Sequence, residues 1–174
     1  MKNFENRLTG GHPNSLGNTI EIVEEVLSNQ ALFEELFQCY FSSDEVVRLR
    51  VSNAMKRICI SNQSYLIPYT DRILNEISQI DQASTKWTLA TLFEMLKDDF
   101  SDQQFQQAKS IIKHNLETDN DWIVLNNSIE TLSKWSLDDA DLLDWLLPRL
   151  EKHAKDDRNS VAKRASKWLA KLKK

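Results

Sequence analysis

Three observations predict an all-α protein. The chain of 174 residues has only three Gly and three Pro, too few for the positive-φ turns that β-hairpins require. Apolar residues recur three and four apart through most of its length, the spacing of one helix face. A helix-sized pattern also returns at intervals of 38, 39 and 37 residues, and two helices per period at that spacing signify an α-solenoid of stacked helix pairs. Hydrophobic residues make up 41%, with five Trp and seven Phe. That much apolar surface offsets chain entropy and argues against disorder.

Residues 1–18 stand apart from the helical pattern. All three glycines, Gly10, Gly11 and Gly17, fall in LTGGHPNSLGN, which reads as an ordered loop covering the first helix pair. Pro13 would stiffen this loop, and Asn14 and Ser15 can hydrogen-bond local amides. His12 and Asn14 are its candidate recognition residues, against the simpler role of a plain end cap. Asn18 or Thr19 is placed to cap a helix from about Ile20 to Leu27. Ala31–Phe41 follows as a helix with Leu32, Phe33, Leu36, Phe37 and Tyr40 on one face.

The organising stretch is Ser42–Ile58, SSDEVVRLRVSNAMKRI. Ser42 and Glu45 have capping-box spacing, and Val47, Val51, Ala54 and Ile58 form the apolar stripe. Ser64–Ile80 is predicted as a helix bent at Pro68, using Leu66, Tyr69, Ile73, Leu74 and Ile77. Asp139–His153 is predicted as a second such helix, bent at Pro148. Between them, Ser101–Leu116 opens with a capping box of Ser101 and Gln104 and lacks a proline. Aligning the second helix of each pair on Val47 brings up Thr85, Val124 and Val161. Each begins near an acid, Asp44, Asp81, Asp121 or Asp157, suited to the helix dipole. Four positions on stand Val51, Leu89, Ser128 and Ala165.

The proline-bent first helices and the Asp44–Val47–Arg48 start resemble a HEAT repeat. The GGHPNSLGN opening, the Val-Arg helix and Lys86-Trp87 are also similar to a family of small bacterial HEAT proteins of unknown function. The resemblance implies a right-handed α-α superhelix of about four helix pairs with an N-terminal capping helix: residues 1–18 as the glycine-containing loop and 19–174 as a single HEAT-like repeat domain. Arg48 becomes Lys86, Leu125 and Ala162 in the later copies, which argues against a continuous Asp–Arg ladder.

The net charge of −4 is unevenly spread. Residues 151–174 hold nine Lys+Arg against three Asp+Glu, so they carry +6 and residues 1–150 carry −4 − 6 = −10. The first reads as a basic terminal helix with a solvated face, against a tail for an anionic partner, and the acidic bulk argues against nucleic acid as a partner. No signal peptide or membrane span is recognisable, so a cytoplasmic protein with no membrane association is expected. There Cys39 and Cys59 would be free, buried thiols, a bridge between them requiring that their helices pack closely, and the sequons at Asn62 and Asn126 would be silent.

Catalytic constellations are not recognisable. His12, His114 and His153 are far apart and form no metal-ligand spacing, so no metal or other cofactor is expected. HEAT-like iron hydroxylases use His-Glu pairs, and the chain has none. Ser15 between Gly11 and Gly17 lacks the spacing of a nucleophile elbow.

In HEAT arrays the second helices line the concave side. Here they would present Arg50, Asn53 and Arg57; Thr88, Thr91 and Met95; Asn127, Glu130 and Lys134; and Arg164, Lys167 and Lys171. The ends of this row are basic and its centre neutral, more like a protein or peptide groove than a DNA cradle. Trp135 and Trp168 fall on apolar stripes, whereas Trp87 and Trp122 fall off them as candidate anchors. The expectation is a non-catalytic protein-binding or scaffold module. Its candidate partner-binding residues are Arg50, Asn53, Arg57, Trp87, Trp122, Asn127, Arg164 and Lys167, with His12 and Asn14 from the loop. The alternative is a nucleic-acid-processing or other enzyme on a HEAT-like scaffold, resembling DNA alkylation-repair glycosylases or phycobilin lyases.

Overall fold

The structure, a computed structural model, describes residues 3–12 and 14–173. Among these residues the chain forms ten α-helices and six short 3₁₀ segments, with no β-strand. Pro13 lies outside the described residues. No helix among those described is long and apolar enough to cross a membrane. The chain divides into two compact units, Met1–Ser101 and Asp102–Lys174.

The first unit contains α1 (Phe4–Leu8), α2 (Thr19–Ser28), α3 (Phe33–Gln38), α4 (Glu45–Ser61), α5 (Thr70–Asn75) and α6 (Ala83–Leu96). The organising helix α4 packs against α1, α2, α3 and α6. Val47, Val51, Ala54 and Ile58 are all fully enclosed, as the periodicity requires. Burying an aliphatic side chain of this size contributes about 1.5–3 kcal/mol, so this stripe is a principal source of the unit's stability.

The start of α4 differs from the expected capping box. Asp44 is the N-cap and accepts from the Val46 amide at 2.8 Å, while Ser42 Oγ accepts from the Asp44 amide at 3.1 Å. The carboxylate lies one residue from the helix and suits its positive end better than a hydroxyl further out. Asp44 Oδ2 also accepts from Thr9 Oγ1 at 2.8 Å, which ties the N-terminal segment to this cap.

Two first-helix expectations are corrected by local geometry. Ala31–Phe41 is split into 3₁₀ turns at Gln30–Leu32 and Cys39–Phe41 around α3, although Phe33, Leu36, Phe37 and Tyr40 are buried as expected. Ser64–Ile80 is not one bent helix. It consists of 3₁₀ turns at Gln63–Tyr65, Ile67–Tyr69 and Ile77–Gln79 with α5 among them, and Pro68 stands in the first turn of one of these. There its missing N–H leaves no helix bond broken.

The loop expected over residues 1–18 contains a helix of its own. Phe4 and Leu8 of α1 are fully buried, and Arg7 pairs with Glu25 of α2 at 2.6 Å. Asn18 stands at the N-cap of α2 but makes no side-chain cap bond; its side-chain amide instead donates to the Arg7 carbonyl at 3.1 Å. Gly10, Gly11 and Gly17 all have positive φ.

The second unit contains α7 (Asp102–Thr118), α8 (Trp122–Trp135), α9 (Ala140–His153) and α10 (Asn159–Leu172). Helix α8 is its centre and packs on α7, α9 and α10, while α9 and α10 also pair. Asp121 caps α8 through the Ile123 and Val124 amides, and Asp139 caps α9 through Leu142. Pro148 is inside α9, as expected. The aligned positions Val47, Thr85, Val124 and Val161 are all at 0% exposure, so the four second helices share one burial register. Asp81 and Asp157 do not cap. Asp81 pairs with Lys86 at 2.6 Å, and Asp156 accepts from the Arg158 amide at 2.9 Å at the start of α10.

Candidate functional site

The first unit offers the α4 and α6 surface and the N-terminal loop. Arg50 does not lie on the open surface; it is 2% exposed. Its guanidinium donates to four loop carbonyls: Leu8 at 2.5 Å, Gly10 at 2.7 Å, Ser15 at 3.1 Å and His12 at 3.3 Å. A desolvated cation with four of its five N–H donors spent on carbonyl oxygens has little capacity left for a partner. The glycines make this enclosure possible, because an ideal Cβ on Gly17 would lie 3.0 Å from Arg50 Cζ. Arg50 is thus the anchor of the loop.

Around that anchor the loop tip stays open. His12 and Asn14 are exposed, with His12 Nδ1 accepting from the Asn14 amide at 3.1 Å. Further along α4, Asn53 and Arg57 are half-buried and bonded to each other at 2.7 Å. On α6, Thr88 is buried, whereas Trp87, Thr91 and Met95 are half-buried. Arg48, at the opposite side of α4, bridges to the next helix start. It donates to Gln82 Oε1 at 2.6 Å, and Gln82 returns a bond to the Glu45 carbonyl at 2.9 Å.

The second unit presents α8 and α10 side by side. Asn127 is half-buried and spends its amide on the Ile123 carbonyl at 2.9 Å. Glu130 is the organiser of this face. Its Oε2 accepts from Arg164 Nη1 at 2.6 Å and from Trp168 Nε1 at 2.8 Å, and Lys134 stands 3.7 Å from Oε1. Burial pushes the Glu130 carboxyl up, but the Trp168 and Arg164 donors more than offset it and leave it below its ordinary range. Trp168 and Trp135 are buried, as their stripe positions predict. Trp122 is 49% exposed at the first turn of α8. Lys167 is exposed.

Other clusters lie in the same unit. Trp145 of α9 has Lys113 Nζ at 4.3 Å and Arg149 Cζ at 3.8 Å from its ring centre. A cleft of about 650 Å³ is lined by Leu116, Asn120, Leu125, Lys152, His153 and Arg158, among others. Burial holds His153 below its ordinary imidazole value, with Asp156 pulling the other way. Among the described residues, no three of His, Cys, Asp and Glu gather where they could hold a metal ion.

The structure therefore groups Asn53 with Arg57, Glu130 with Arg164 and Trp168, and His12 with Asn14; it leaves Asn127 bonded to its own helix and withdraws Arg50. Sequence reasoning missed Lys163, which is exposed on α10. The signal was present, since Lys163, Lys167 and Lys171 are spaced four apart. Compared with protein-family models, with curated proteins and with solved structures, the chain matches none.

Proposed function

We propose that this chain is a non-catalytic protein- or peptide-binding module of the cytoplasm, built as a right-handed HEAT-like solenoid. The observation that carries the reading is the shared register of the second helices. In each unit two of them pack side by side, bury equivalent positions and leave two equivalent sets at least partly open, 53, 91, 130 and 167 and then 57, 95, 134 and 171. Side chains held on packed helices are pre-organised, so little ordering entropy opposes a partner that meets them. Half-buried Trp87 and exposed Trp122 add large amphipathic contact area at low rotamer cost.

The test is affinity capture from a native cell extract, with and without nuclease, comparing the unaltered chain with Arg57→Glu and Lys167→Glu variants. Nuclease-resistant capture of a polypeptide that either substitution weakens supports the reading. Capture that disappears on nuclease treatment, or that neither substitution changes, overturns it.

A further inference from the structure

We infer that the face shared by α8 and α10 receives an acidic polypeptide segment, an assignment that rests on the binding-module reading and names its partner's chemistry. Helix α10 turns Val161, Ala165 and Trp168 inward. Its outer side carries Lys163, Lys167 and Lys171, all exposed. At about 1.5 Å of rise per residue, lysines four apart stand about 6 Å from one another along the axis. Arg164 of α10 and Lys134 of α8 extend the row toward the neighbouring helix, so the face has five cations.

The only acid that the α8 row supplies is Glu130, and it is already committed. One of its oxygens takes both Arg164 Nη1 and Trp168 Nε1, at 2.6 and 2.8 Å. Lys171 lies with its ammonium 4.6 Å over the Trp168 ring, and this contact leaves its positive charge uncompensated. Among the described residues, Lys163 and Lys167 have no ion pair. The face is therefore a row of solvated ammonium groups beside a worked example of what it accepts: a carboxylate held by a guanidinium and an indole N–H.

Carboxylates at four-residue spacing on a partner helix have the same 6 Å repeat as the lysines. A nucleic acid suits the face less well. Its continuous phosphate charge would meet Glu130 at the centre of the row, and the unit as a whole is nearly balanced, with 13 Lys+Arg against 12 Asp+Glu over residues 102–174.

The probe is a fluorescein-labelled alanine-rich helical peptide with three glutamates at four-residue spacing, measured by anisotropy beside its glutamine counterpart and a short DNA duplex. The full chain should bind the glutamate peptide roughly tenfold more tightly than the glutamine one at low salt, from three exposed charge contacts of modest worth each. Combined Lys163→Glu, Lys167→Glu and Lys171→Glu should remove that preference, with helicity by circular dichroism unchanged. If that triple reversal does not fold, the triple Lys→Gln variant must show the same loss. Equal binding of the two peptides, indifference to the substitutions, or tighter binding of the duplex than of the glutamate peptide overturns the assignment. A chain that captures polypeptides from extract yet ignores the glutamate peptide sinks this inference alone; one that does neither sinks the binding-module reading with it.

Discussion

Gly17→Ala should cost far more than Gly10→Ala, although both change one hydrogen to a methyl in the same loop. Both glycines have positive φ, 50° and 74°, which costs an L-residue roughly 1–2 kcal/mol. Beyond that the sites diverge. Nothing lies within 4 Å of a Cβ on Gly10, whereas one on Gly17 meets Arg50 Cζ at 3.0 Å, Nη1 at 3.1 Å and Nε at 3.3 Å. The guanidinium cannot yield cheaply, because it is held by four carbonyls. Hydrogen bonds to a charged group contribute about 1.5–3 kcal/mol each, and weakening one or two adds roughly 1–3 kcal/mol to the cost at Gly17. Hydrogen exchange of the amides in α1, the loop and α4 measures the local opening free energy. The Gly17→Ala penalty should exceed that of Gly10→Ala by roughly 1–3 kcal/mol. In an Arg50→Lys background the excess should vanish, since the slimmer side chain leaves the clash behind. Equal penalties at the two glycines, or no coupling to Arg50, would refute the carbonyl cage as the reason for the loop's glycines.

Three further expectations concern individual side chains. Thr85 occupies the enclosed position where the other second helices have Val, and its hydroxyl has no hydrogen-bond partner; Thr85→Val should raise stability by about 1 kcal/mol in urea unfolding, and a loss would contradict the shared register. The side-chain and backbone donors of Arg158 hold the Asp156 carboxyl down at about 2, against 3.8 ordinarily, so its contribution is complete above about 3.8 and is lost as pH falls toward about 2. Asp156→Asn should therefore destabilise at neutral pH and converge with the unaltered chain in strong acid; a constant difference across that window would be incompatible. Burial pushes the Cys39 and Cys59 thiols up to about 12 and about 11, so neither should react with an aromatic disulfide reagent at mildly alkaline pH until the chain is unfolded. Rapid native labelling of either thiol would count against the packing of α4 and its neighbours.

What could be read from the residues alone was the helical class and the inward side of each second helix. Val47, Thr85, Val124 and Val161 were aligned by interval, and all four are enclosed. Apolar periodicity is local: a side chain's angular position on a helix is fixed by its distance in sequence from its neighbours. The same pattern placed Trp135 and Trp168 inside. Caps were only half legible: Asp44 and Asp121 accept from the first amides of α4 and α8, whereas α6 and α10 begin at Gln82 and Arg158, which make no side-chain cap bond. The two prolines looked equivalent, yet Pro68 opens a 3₁₀ turn and Pro148 stays inside a helix.

The fate of the polar side chains was decided by tertiary structure. On its own helix Arg50 occupies a position that looks open, and nothing in its immediate neighbours marks it as buried. Its ligands are carbonyls 35 to 42 residues away, brought over it by a loop that α1 pins through Phe4 and Leu8. Glu130 is likewise defined by donors 34 and 38 residues distant. A charged side chain takes its role from whichever groups satisfy it, and those groups are assembled only when separate helices pack. Hydrophobic pattern therefore set which way the helices face, and the folded chain set which cations remain available to a partner.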